Sequence, residues 1–132
     1  MKDNTIKPKE AICEIEVAFR VIGGKWKPLI LWYLGQLHTL RFSQLQHLIP
    51  DITHKILTKQ LRELEEDNLI ERKVYAEIPP KVEYSITDNG KEIIPVLDMM
   101  CDWAFKNNLF GYSLKYNLCE ESLKDIIFPD NN

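Results

Sequence analysis

Ile15, Ala18, Phe19 and Ile22 recur at the spacing of one helix face and stop at Gly23-Gly24, which predicts a short opening helix with a glycine exit. Pro28 suits the first turn of a second helix through Leu29, Ile30, Leu31, Trp32 and Leu34. That helix is apolar nearly all round, so its place is the centre of the core. Leu40-Arg41-Phe42 is a brief extended stretch. Ser43 with Gln46 three residues later has the form of a capping box and predicts a third helix from Ser43 to Ile49, closed by Pro50. Thr53 stands where an N-cap is wanted, and Ile56, Leu57, Leu61 and Leu64 mark the buried face of a fourth helix running to about Asp67. Asn68 is its left-handed terminator.

The period then changes. Leu69 to Tyr75 and Lys81 to Thr87 have strand character, and in the second run Val82, Tyr84 and Ile86 alternate with Lys81, Glu83 and Ser85. The residues between them, Ala76 to Pro80, make a stiff Pro-Pro tip, and the pair reads as an antiparallel hairpin. Thr87 caps a long helix through Ile93, Ile94, Val96, Leu97, Met100, Trp103 and Ala104, with a kink expected at Pro95. Leu118, Leu123, Ile126 and Ile127 predict a final amphipathic helix ending before Pro129. The expected fold is mainly α with a small β-hairpin.

Composition bounds this picture without changing it. A chain of 132 residues with 45% hydrophobic content suffices for one packed core. The expected organisation is a flexible arm over 1–12, a domain over 13–107, and a dimerising amphipathic helix over 108–132. Neither a signal peptide nor a membrane-spanning run is legible. Three scattered cysteines, Cys13, Cys101 and Cys119, fit free thiols in a reducing compartment, so a cytoplasmic location is expected.

Charge does change it. The formal net charge is -3, yet from Lys25 to Arg62 six basic residues (Lys25, Lys27, Arg41, Lys55, Lys59, Arg62) face one acid, Asp51. The acids gather from Glu63 onward and again near Glu120, Glu121, Asp125 and Asp130. With Ile56, Leu57, Leu61 and Leu64 turned inward, the fourth helix presents His54, Lys55, Thr58, Lys59 and Arg62, all suited to base edges and phosphates. A short capped helix, a basic helix and a hairpin in that order describe a helix-turn-helix with a wing. In this reading Lys55, Lys59 and Arg62 supply charge, while His54 and Thr58 lie nearer the bases.

The residues carry a resemblance as well. Val21 to Leu31 (VIGGKWKPLIL), Leu40 to Leu45 (LRFSQL), Leu57 to Glu65 (LTKQLRELE) and Pro79 to Thr87 (PPKVEYSIT) together resemble the HxlR family of bacterial regulators, over roughly Cys13 to Trp103. The resemblance implies a winged helix-turn-helix DNA binder related to MarR-type proteins, acting as repressor or activator. It also implies a homodimer joined through its N- and C-terminal helices. It places Ser43, Gln44, Thr53, His54, Lys55, Thr58, Lys59 and Arg62 on DNA-facing helices and Lys81 on the wing; Arg41, from the basic stretch, completes the candidate DNA-binding set. Many members carry Cys-Pro where this chain has Cys13-Glu14, so the cysteine matches and the proline does not. In some relatives a cysteine at this place senses electrophiles or oxidants, and the resemblance therefore makes Cys13 the candidate redox or electrophile sensor, a role the missing proline leaves open.

Other chemistries fit less well. Gly23-Gly24-Lys25-Trp26 lacks the earlier glycine and the following Ser or Thr of a phosphate loop. His38, His47 and His54 have no metal-ligand spacing, and no nucleophile elbow or paired carboxylate is legible. No enzyme, metal or cofactor is expected. The partners expected are operator DNA and a second copy, with a small-molecule or electrophile effector left open. Met99, Met100 and Trp103 read as ordinary core packing before they read as an effector pocket, and Cys101 reads as core. A protein-binding winged helix and a thiol or small-molecule sensor remain the alternatives.

Overall fold

The computed structural model describes residues 8–116 and 118. Helices α1 (Glu14–Ile22) and α2 (Lys27–Leu37) lead to strand β1 (Thr39–Arg41). Helices α3 (Phe42–Leu48) and α4 (His54–Glu66) follow, then strands β2 (Ile70–Tyr75) and β3 (Lys81–Ile86). Helices α5 (Asp88–Lys91) and α6 (Ile94–Lys106) and a 3-10 turn (Asn108–Gly111) complete the described order.

The all-apolar α2 is the centre of the core, as its pattern requires. Five consecutive residues, Ile30 to Leu34, are buried, and Leu45, Leu57, Leu61 and Leu64 close over them from α3 and α4. Gly35 lets α6 cross closely: a Cβ there would stand 2.6 Å from Ile94 Cδ1. Lys27 is also buried, its Nζ 2.7 Å from Glu63 Oε1, so α2 and α4 are joined by an ion pair as well as by leucines. That pairing removes Lys27 from the basic surface the sequence assigned to it.

The brief extended stretch is a true strand. β1 pairs antiparallel with β3, and β3 with β2, giving the order β1-β3-β2 with Arg41 and Lys73 both opposite Glu83. The hairpin is therefore one side of a three-stranded sheet. Its base is fixed by the end of α4, where Asn68 adopts φ 61° as its residue type predicted. Leu69 N donates to Leu64 O at 2.9 Å and Asn68 N to Glu65 O at 3.0 Å, turning the chain directly into β2.

Four expectations need correction. The third helix starts at Phe42 rather than Ser43; Gln44 Oε1 accepts from Arg41 N at 2.9 Å, and Gln46 instead donates to Ile52 O at 2.9 Å. Ile56 is 38% exposed, because it lies on the flank between the two faces of α4. The long kinked helix after Thr87 is two helices. Thr87 caps α5, accepting from Gly90 N at 2.9 Å, and Pro95 sits in the first turn of α6, where its missing N–H costs no helical bond.

The fourth concerns the apolar residues of α6. Met99, Met100 and Trp103 are exposed, not core, and Cys101 is only partly buried. Leu97 is the one residue of α6 that is buried, and α1 buries none of its own. Leu118 lies packed against the core outside any helix, while Leu123, Ile126, Ile127 and Cys119 lie outside the described residues.

Candidate nucleic-acid interface

The connection between α3 and α4 is short and held from both sides. Gln46 ties α3 to Ile52 O, Ile52 N donates to Ile49 O at 3.1 Å, and Ile49 and Ile52 are buried beneath the turn. Thr53 caps α4 as expected, its Oγ1 accepting from Ile56 N at 3.2 Å. The rings of Phe42 and His54, the first residues of α3 and α4, meet at a 47° tilt with centroids 4.5 Å apart. The two helices thus enter from one clamped corner.

On α4 the leucines at 57, 61 and 64 are buried, and Lys55, Lys59 and Arg62, at matching steps on the opposite side, are exposed. Thr58 shares their face; its hydroxyl donates to His54 O at 2.8 Å. His54 is exposed at the start of α4, and its ring packs on Phe42, so it borders both the corner and the basic stripe. Ser43 is exposed on α3, while the Gln44 side chain is engaged in capping.

Glu63 does not oppose the stripe. The hydrogen bond from buried Lys27 holds its carboxyl below the usual carboxylate range, and the pair sits on the flank. Asp51, the single acid of the basic stretch, is likewise engaged. Lys115 Nζ lies 3.0 Å from its Oδ2 and the Tyr116 hydroxyl donates to the same oxygen at 2.8 Å, and these two bonds depress its pKa. No local pattern could have found contacts made across 65 residues of chain.

The wing base is more organised than the sequence indicated. Lys81 Nζ stands 3.5 Å from Glu83 Oε2 and 4.7 Å from the centre of the Tyr75 ring, with Lys73 Nζ 5.0 Å from that ring. The Tyr75 hydroxyl donates to Glu83 Oε1 at 2.8 Å. That bond, then Lys81 and Arg41, holds the Glu83 carboxyl below its usual range. Lys73, Tyr75 and Glu83 were missed because only the strand register places them beside Arg41 and Lys81. The tip residue Ile78 is fully exposed.

Cys13 is exposed at the N-cap of α1. Among the described residues no group of three His, Cys, Asp or Glu side chains is placed to hold a metal. No helix among them is long and apolar enough to cross a membrane.

Comparison with known proteins agrees with this geometry. Residues 21–109 match the family model described as HxlR-like helix-turn-helix. An HTH-type transcriptional regulator of Methanothermobacter thermautotrophicus is 52% identical over 95 residues, which is 72% of each chain. The HTH-type transcriptional regulator YtcD of Bacillus subtilis is 42% identical over 118 residues, 89% of this chain and 93% of its own. The reduced form of the redox regulator HypR superposes with TM-score 0.71 at 39% identity, covering 76% of this chain and all of HypR's. Fold, basic helix and relatives converge: the chain belongs to the HxlR-like helix-turn-helix family and is a DNA-binding transcription regulator.

Proposed function

We propose that this regulator reads its operator by placing the N-terminal half of α4 in the major groove, with the wing from about 75 to 82 on the adjacent backbone or minor groove. The observation that carries the reading is the stripe Lys55, Lys59 and Arg62, exposed along one side of a helix whose other side is sealed by Leu57, Leu61 and Leu64, with Thr58 half-buried at its edge. Lys55, Lys59 and Arg62 contact phosphates or guanine edges; Thr58 approaches bases; Thr53 and Ser43 lie at helix starts, where backbone N–H groups favour phosphate. Arg41 and Lys81 extend the contact to the sheet. Gln44 and His54 serve chiefly by fixing the corner from which α4 projects.

A homodimer through α1 and α6 completes the reading. Ile15 and Phe19 of α1 and Met99, Met100 and Trp103 of α6 are apolar residues left exposed among the described residues, and two-fold symmetry presents two α4 helices to half-sites about 34 Å apart. An N-terminal arm over 1–12 and a dimerising segment over 108–132 complete the domain organisation we propose, and the regulator works in the cytoplasm. The test is a gel shift with the gene's own upstream intergenic DNA: a complex resistant to unrelated competitor supports the reading, and its absence with every upstream fragment counts against it.

Effector response is a second reading, favoured by two features. Cys13 is an exposed thiol at the start of α1, in a fold shared with a redox regulator. A largely apolar hollow of about 410 Å³, lined by Trp103, Leu109, Phe110 and Leu114 among others, opens beside the apolar face of α6. Labelling of Cys13 by iodoacetamide no faster than a model thiol removes the sensor role.

A further inference from the structure

Glu83 occupies an odd position for an acid. It is in the central strand of the sheet, with Arg41 opposite it on β1 and Lys73 opposite it on β2. Its two carboxylate oxygens are engaged, one by the Tyr75 hydroxyl at 2.8 Å and the other by Lys81 Nζ at 3.5 Å, and its side chain is only 23% exposed. Lys73 and Lys81 each lie about 5 Å from the Tyr75 ring, within cation–π range. Three cations are thus gathered around one carboxylate and one phenol. A carboxylate set among phosphate-contacting residues weakens attraction to DNA, so attraction alone does not account for it.

The account lies in what unrestrained cations do. Sequence-independent affinity grows with the number of phosphates neutralised, whereas discrimination requires contacts available in one register only. Three long side chains free to move follow any phosphate track; the same side chains anchored to a shared partner meet only the track that fits. Resting on the reading of the wing as a DNA contact, we propose that Glu83 is a positioning residue for operator discrimination. It fixes Lys81 and Tyr75 directly, faces Arg41 and Lys73 across the strands, and subtracts charge that would otherwise bind any duplex.

Glu83→Gln keeps an acceptor for the Tyr75 hydroxyl and removes the charge. Affinities of wild type and E83Q for a random-sequence duplex and for the upstream intergenic duplex, each across a salt series, test the role. E83Q is expected to bind the random duplex about threefold more tightly, with a log K against log salt slope steeper by up to about one, and to lose preference for the intergenic DNA. A damaged wing would give weaker binding and a shallower slope, so the sign separates positioning from mere structure. Tyr75→Phe, which removes the hydrogen bond and leaves every charge, is expected to keep the slope and reduce the preference. An unchanged or shallower slope in E83Q, or an undiminished preference in Y75F, overturns the proposal while wild-type binding leaves the DNA reading intact. A wild type that binds neither duplex overturns both.

Discussion

Two pairs of helices in this molecule share an amphipathic pattern and meet opposite fates. α3 and α4 bury their leucines against α2 and leave a polar surface; α1 buries none of its residues and α6 buries Leu97 alone, leaving Ile15, Phe19, Met100 and Trp103 in the open. The winged-helix unit is self-sufficient, with its apolar stripe consumed internally. The flanking helices are not, and their uncovered faces are what the proposed second copy would bury. Apolar periodicity alone therefore reports that a face will be covered, without reporting by which chain.

Mutations separate the two regions. Leu61, about 1% exposed, anchors α4 to the core, and Leu61→Ala is expected to cost about 3 kcal/mol of folding stability in a denaturant titration. Trp103→Glu acts on the other region. It is expected to leave the thermal unfolding of the protomer nearly unchanged while weakening the dimer by about 2–3 kcal/mol in sedimentation equilibrium, the scale of an aromatic hot spot. If Trp103→Glu instead unfolds the protomer, the distinction between the regions fails.

Lys27→Ala tests the seam between α2 and α4, with an expected loss of about 1–2 kcal/mol, since Glu63 retains access to water. The same variant alters the pH profile. Glu63 has a depressed folded pKa, so its contribution is present above the ordinary value of 4.5 and is lost as pH falls through the depressed one. The alanine variant is therefore expected to lose less stability between neutral and acid pH than the wild type, read from unfolding curves across that range. Lys59→Ala has the smallest effect: stability unchanged, DNA affinity lowered by about 1 kcal/mol for all sequences, and a salt slope shallower by about one.

Most of the winged-helix unit was legible because its rules are local. The leucine spacing of α4, the Thr53 cap, the Asn68 terminator and the alternation in β3 each follow from a few neighbouring residues. The failures came where two local solutions compete. Ser43 with Gln46 and Arg41 with Gln44 have the same capping spacing, and the pairing of β1 with β3 decides for the second. Pro95 could kink a helix or begin one, and the turn after α5 makes it a beginning. Lys27, Asp51 and Glu83 were legible as charges only. Their partners, Glu63, Tyr116 and Tyr75 among them, are set by packing and strand register, which no window of sequence contains.

The central claim is that the exposed basic stripe of α4 binds DNA in a sequence-dependent way. The most direct measurement is a gel shift of the purified protein with its upstream intergenic DNA, at two salt concentrations and with unrelated competitor, comparing wild type with Lys55→Ala/Lys59→Ala. The account predicts a competitor-resistant complex that weakens with salt and is lost in the double variant. A specific complex that survives intact in the double variant would contradict it, and would move the recognition surface off α4.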